Sequence, residues 1–310
     1  MKTVLGIGLT ARPGKADCSG LNEILDGLET QAISHVELST YDNDLVIGGR
    51  IHRGNLARLK AACAGRRLGY SVHGPLGINF FDEPFRLDRH FEVFKASMEI
   101  AAEVGAVHYV LHSGLARTHQ AAGIEACYGR QREWLVRCAE IGAAHGIHVC
   151  VENLFTEWDG STYASNPSRL ARELAAIDHP FLRATLDVSH AYLLAGFRGL
   201  DFLAEIAALA PFAKHVHMHD SFGRADDIWM YAQGERVAFG HGDLHLPVGW
   251  GSIPWDDVTR VCDFPDLALF NIELNERYFY AVEECVSATR AVADRVGRIE
   301  IGAVARNAAE

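Results

Sequence analysis

Short apolar runs alternate with longer amphipathic ones along the whole chain. Eight of the short runs read as strands: "TVLGIGL" (3–9), "SHVELS" (34–39), "GYSVHG" (69–74), "VHYVLHS" (107–113), "IHVCVEN" (147–153), "LRATLDV" (182–188), "AKHVHMHD" (213–220) and "LALFNIEL" (267–274). Between them, apolar residues recur at helical spacing around 19–30, 53–67, 87–104, 123–145, 166–177, 199–209, 254–262 and 277–296. "EVFKASMEIAAEVG" shows the i, i+3, i+4 rhythm and ends on glycine, as helices commonly do. Eight strand–helix units in about 300 residues predict an α/β fold, a single (β/α)8 TIM barrel. The barrel is expected over 1–297, with a long loop at about 221–252 after the seventh strand and a loose tail over 298–310.

Composition changes this picture little. Of 310 residues, 49% are hydrophobic and 22% charged, an ordinary globular balance. The seven cysteines are scattered and form no CxxC pair, which reads as a reduced, cytoplasmic protein. "MKTVLGIGLT" turns polar too soon for a secretory signal and reads as a first strand. No apolar run reaches membrane-spanning length. A formal net charge of −11 disfavours a broad grip on nucleic acid. The oligomeric state is left open.

Sixteen histidines are the unusual feature, and most lie near the ends of apolar runs. Barrel active sites form at the C-terminal ends of the strands. His73 and His112 end strands three and four, and Glu152 ends strand five. Asp187 ends strand six, with His190 three residues on; His217 and His219 end strand seven; Glu273 ends strand eight. The long loop adds Asp243 and His245 in "GDLHLP". A lone residue of this kind could be hydrogen-bonded filler or a helix cap. Six consecutive strands ending in imidazole or carboxylate imply a metal site, because crowded carboxylates need cations to balance them. The nine candidates His73, His112, Glu152, Asp187, His190, His217, Asp243, His245 and Glu273 are too many for one ion and suggest two or three. Imidazole with carboxylate and no thiolate suits Zn first, then Mn, Fe or Co.

In "HVHMHDS" (215–221), His215, His217 and His219 fall on one face of a strand. His217 is the ligand candidate. His215 sits one layer deeper, as packing or as support behind a ligand. His219 points toward the mouth, where it could orient a ligand or touch substrate.

These residues resemble the xylose-isomerase-like barrel superfamily, which holds the endonuclease IV group and many sugar epimerases and isomerases. "SVHGPLGIN" is similar to the endonuclease group's HAPYLIN, "LHSG" to HPG, "VEN" to LEN, "TLDVSHAYLLAG" to its DTCH segment, "VHMHDS" to HLNDS and "DLH" to DRH. The resemblance implies one ion on His73, His112 and Glu152. It implies a second on Glu152, Asp187, His217 and Glu273, and a third on His190, Asp243 and His245. It further implies a metal-dependent phosphodiesterase in which a metal-activated water attacks phosphorus. Leu76 stands where the endonucleases carry Tyr, and Phe222 and Gly223 where a Lys is found, so the expected substrate is a small or mid-sized phosphodiester such as a cobamide-like molecule, not abasic DNA. Arg117, Arg224 or Arg236 could hold a phosphate oxygen. Trp229, Tyr231, Phe239 and Trp250 could wall the substrate. The alternative is a single-metal sugar or sugar phosphate isomerase or epimerase, with Glu152 and Glu273 as acid and base. "GWGSIPW" resembles the GxGxIxW segment of those enzymes.

Overall fold

All eight apolar runs become strands. They are β1 (Lys2–Thr10), β2 (His35–Ser39), β3 (Gly69–His73), β4 (Ala106–His112), β5 (His148–Glu152), β6 (Leu182–Asp187), β7 (Ala213–Met218) and β8 (Ala268–Ile272). The computed structural model describes residues 2–12, 14–117, 123–156, 161–224 and 226–299. Every neighbouring pair is parallel in sequence order, and β8 pairs back onto β1 through Ile7↔Phe270, Gly8↔Asn271 and Leu9↔Ile272. The sheet is thus a closed eight-stranded barrel, as expected. A further strand, β9 (Gly297–Ile299), pairs with Lys2–Val4 outside the ring. Arg298 and Ile299, assigned to the loose tail from sequence, belong to this strand; residues 300–310 lie outside the described residues.

The helices follow the strands: α1 (Leu21–Glu29), α2 (Arg53–Cys63), α3 (Leu87–Glu103), α4 (Ile124–His145), α5 (Pro167–Ile177), α6 (Val188–Arg198), α7 (Phe202–Leu209), α8 (Gln233–Phe239), α9 (Trp255–Val261) and α10 (Val282–Val296). Two of these were not read from the pattern. In α6 the strand runs into the helix without a turn signal. Asp187 ends β6 and also caps α6, accepting the His190 backbone N–H at 2.7 Å. The short α8 lies inside the long loop. Among the described residues no helix is long and apolar enough to cross a membrane.

Residues alternate along the strands with period two, and both faces are buried. Val36, Leu38, Val216, Met218, Phe270 and Ile272 join the apolar core. His35, Glu37, His108, Asp187, His215, His217 and Asn271 are buried on the other face. That face is the barrel interior: His108 of β4 meets His215 of β7 at 3.3 Å, though the two strands are not neighbours. The parallel register levels the strand ends, setting Ser39 beside His73, His112 beside Glu152, and Asp187 beside His217.

Candidate metal centre

The barrel mouth is organised around one ring nitrogen. His217 is fully buried, and its Nδ1 has no hydrogen-bond partner. It faces Glu152 Oε1 at 3.5 Å, Asp187 Oδ2 at 3.7 Å and Glu273 Oε2 at 3.4 Å. A buried polar atom without a partner is costly unless something is meant to meet it. Donor atoms about 2.1 Å from one tetrahedral ion stand about 3.4 Å apart. One imidazole nitrogen that faces three carboxylate oxygens at about that distance is a donor set suited to a divalent cation.

A second cluster adjoins it. Donor atoms of His190, His219, Asp243 and His245 all lie within 4.8 Å of one another. Asp243 Oδ2 is 2.8 Å from His245 Nε2 and 3.4 Å from His190 Nε2, and its Oδ1 is 3.7 Å from His219 Nδ1. His219 Nδ1 and Asp243 Oδ1 are both buried without a hydrogen bond, so this cluster too has donors awaiting a partner. The loop holds its place by an antiparallel bridge: Asp220 N–H donates to Leu246 O at 2.9 Å, and Asp220 O accepts from Leu246 N–H at 3.1 Å. Asp220 also accepts from Trp255 Nε1 at 2.9 Å and from the Gly249 N–H at 2.8 Å, which gives "GWGSIPW" its role as the loop's anchor. His245 has φ of 46°, a left-handed conformation uncommon outside glycine and frequent at functional sites. Its Nδ1–H donates to Glu273 O at 2.9 Å, which turns Nε2 into the cluster.

The third group is His73, His112 and Glu152, again within 4.8 Å. Glu152 Oε2 is 3.2 Å from His73 Nε2 and 3.6 Å from His112 Nε2. His73 Nδ1–H donates to Gly74 O at 2.9 Å, which fixes the tautomer with Nε2 inward. All nine sequence-derived ligand candidates therefore meet at the mouth, and His219 joins them.

Charge at the site is unbalanced by design of the residues. Burial disfavours the cationic form of His217, yet Glu273, Glu37 and Glu152 outweigh it and hold its pKa well above the ordinary value. His73 is raised to about 9 against burial by its hydrogen bond and charge contact with Glu152, and His245 to about 9 against burial by Asp243. Burial would raise Glu152, but His217 and His112 hold it well below the ordinary range. Asp243 behaves alike, with burial overcome by His245 and His190. His112 is lowered to about 4, because burial wins over its contact with Glu152. The carboxylates thus draw protons onto neighbouring imidazoles, a place metal ions can take.

The other sequence candidates lie elsewhere. Arg224 donates to Phe239 O at 3.0 Å within the loop. Arg236 pairs with Asp226. Trp250 Nε1–H donates to Glu284 Oε1 at 2.8 Å, so this ring packs the loop onto α10. Trp229 is 74% exposed and sits edge-on to Tyr231. Arg117 lies on a small antiparallel pair of strands, Leu115–Arg117 with Thr162–Ala164. One residue was missed: Glu37, fully buried on β2, reaches His215 and His217. The period-two set His35, Glu37 and Ser39 was its signal, a carboxylate on an inward strand position.

A description of the xylose isomerase-like TIM barrel matches residues 30–277. No curated protein sequence matches the chain. Among solved structures, a D-tagatose 3-epimerase-like protein is 19% identical with a TM-score of 0.69, covering 96% of this chain and 100% of that one. The 3-keto-D-glucoside 4-epimerase YcjR from E. coli is 15% identical with a TM-score of 0.62, over 92% of this chain and 98% of that one. The IOLI protein, solved with a bound zinc atom, is 15% identical with a TM-score of 0.65, over 96% and 98%. These matches overturn the phosphodiesterase expectation: the structural relatives are mainly sugar epimerases and isomerases, and the endonuclease-like subgroup gains no support. The Glu, Asp, His, Glu set at the strand ends does not discriminate between the two expectations; the added histidines are what favour the phosphodiesterase in the sequence. By the match over most of its length, the chain belongs to the xylose isomerase-like TIM barrel family.

Proposed function

We propose that the protein is a metal-dependent isomerase or epimerase acting on a small sugar. The observation that carries this reading is His217 Nδ1, buried without a partner and faced by the carboxylates of Glu152, Asp187 and Glu273. Its likeness to structures described as D-tagatose 3-epimerase-like, D-psicose 3-epimerase and L-ribulose 3-epimerase supports the sugar. Glu152, Asp187, His217 and Glu273 would hold the catalytic ion, with Zn the first choice and Mn, Fe or Co also suited to these donors. His190, His219, Asp243 and His245 would hold a second ion, and His73 and His112 with Glu152 a third. When bound, a divalent ion polarises a carbonyl oxygen and makes the neighbouring C–H more acidic.

Glu152 and Glu273 do the proton work. They project from the ends of β5 and β8, separated by two strands around the ring. One carboxylate takes the proton from the carbon beside the carbonyl, and the other delivers a proton to the opposite face, which inverts that carbon. The buried mouth keeps water from competing. His219, stacked on His245 at 4.0 Å, orients that ring and the substrate beside it.

The reading is tested by incubating metal-loaded protein with pairs of ketose epimers and resolving the products by chromatography. Interconversion of one pair, abolished by a chelator and restored by Zn or Mn, is expected. Hydrolysis of bis-p-nitrophenyl phosphate with no change in any ketose would refute it.

A further inference from the structure

His217 has two ring nitrogens, and the mouth accounts for one. Its Nε2 points the other way, 3.4 Å from both oxygens of Glu37. Glu37 is fully buried on β2 and reaches His217 through the barrel interior. It is itself held on several sides. Oε1 accepts from Thr10 Oγ1 at 3.1 Å and from Asn271 Nδ2 at 3.2 Å, while Oε2 lies 3.0 Å from His215 Nε2. Asn271 Nδ2 also donates to Thr10 Oγ1 at 2.9 Å. A β-carbon at position 8 would stand 2.5 Å from Asn271 Oδ1, so Gly8 makes room for this network. Four strands, β1, β2, β7 and β8, thus converge on one carboxylate that has little freedom to move.

A neutral imidazole carries one N–H. A fixed acceptor at Nε2 places the proton there, and the Nδ1 lone pair is then left facing Glu152, Asp187 and Glu273. His73 and His245 are locked by the same device as the opposite tautomer, with the carbonyls of Gly74 and Glu273 holding Nδ1–H and leaving Nε2 inward. We propose that Glu37 is a positioning residue: its carboxylate fixes the Nε2–H tautomer and the ring plane of His217, so that Nδ1 is presented as a metal ligand. This rests on the reading that Glu152, Asp187, His217 and Glu273 hold an ion. Donors of Glu37, His215 and His217 also lie within 4.8 Å of one another, as a metal site's would. Oε1 of Glu37 already accepts from Thr10 and Asn271, which favours the positioning role.

The test measures Zn affinity by competition with a chromophoric chelator, and the visible absorption of the Co(II)-loaded protein, for wild type, Glu37→Ala and Glu37→Gln. Glu37→Ala is expected to weaken the tightest ion by about 10–100-fold, the usual effect of losing such a partner, and to displace the Co(II) bands. Glu37→Gln keeps an amide oxygen that accepts from Nε2–H. It is expected to recover most of the affinity while its Co(II) bands stay displaced, and it decides the matter alone should Glu37→Ala fail to fold. Wild-type affinity and band positions in Glu37→Gln would overturn the proposal. So would loss of one whole ion per chain in Glu37→Ala with the other ions unaffected, which would make Glu37 a ligand. Neither readout needs turnover, so a failure to epimerise any sugar would sink the proposed reaction and leave this proposal standing. A wild-type chain that binds no ion would overturn both.

Discussion

Two sets of histidines occupy the same barrel at different depths. At the mouth, His73, His190, His217 and His245 have raised pKa values although burial opposes the charge, because Glu152, Asp187, Asp243 and Glu273 surround them. Near the strand starts, His35, His108, His148 and His215 are lowered by burial first and by neighbouring cations and imidazoles second, with Glu37 the opposing contact at His215. Burial alone does not separate the sets, since His73 and His108 are both 3% exposed. The neighbours do. A cavity of about 360 Å³ opens at the lower end beside His108, His148 and Lys214, and no carboxylate among the described residues lines it. A count of histidines therefore says little about a site. Histidines mixed with buried carboxylates, and with orphaned donors, mark one.

The largest effect should come from the mouth. Glu152→Gln removes a proton-transfer group and a ligand together. It is expected to lower the rate of ketose interconversion by at least about 10²–10⁴-fold while the circular dichroism spectrum stays unchanged. A rate within tenfold of wild type would place the acid–base chemistry elsewhere.

Next comes the second cluster. Asp243→Ala and His245→Ala sit on the loop rather than on a barrel strand, so each should reduce the metal count by one ion per chain and leave the fold intact. Elemental analysis checks this. An unchanged count in both variants would make the cluster a hydrogen-bonded loop clasp.

Proton competition gives a third, graded effect. The raised values of His73 and His245, about 9, make protons compete with a metal ion for these rings at neutral pH. Zn affinity is therefore expected to rise with pH from 6 to about 9, by up to roughly tenfold per unit for each proton displaced. Affinity that is flat over this range would mean that these two rings do not ligate.

The lower histidines should show the smallest effect. His148, whose ring stacks on Phe181 at 5.1 Å, is half-buried, and His148→Phe keeps the ring contact. It is expected to leave the ion count and Zn affinity unchanged and to shift urea stability by less than about 1.5 kcal/mol. Loss of an ion in this variant would erase the distinction between the two sets.

Much of this contrast was legible in the chain itself. All eight strands were marked by apolar runs, and the ligand candidates on the strands stood at their ends, because a parallel barrel aligns those ends by register. α6 was not legible, since Asp187 serves at once as strand end and helix cap and leaves no turn between them. Glu37 was passed over because "SHVELS" reads as an ordinary packed strand until His217 is seen to need a partner at Nε2. His219 was placed at the mouth, but its membership of the Asp243 cluster depends on a loop whose path the Asp220–Leu246 bridge sets. The chemistry was misjudged for a related reason: ligand type and spacing report that cations are needed, not what those cations act upon.

The most direct test of the proposed chemistry follows a single proton. Metal-loaded protein would be mixed with a panel of ketoses in D₂O, and deuterium entering the carbon beside the carbonyl followed by proton NMR. Loss of that proton signal in at least one ketose is expected, dependent on the divalent ion, stopped by a chelator and absent in Glu273→Gln. A chain that binds its ions in full, yet exchanges no carbon-bound proton in any ketose, would contradict the assignment of Glu152 and Glu273 as an acid–base pair.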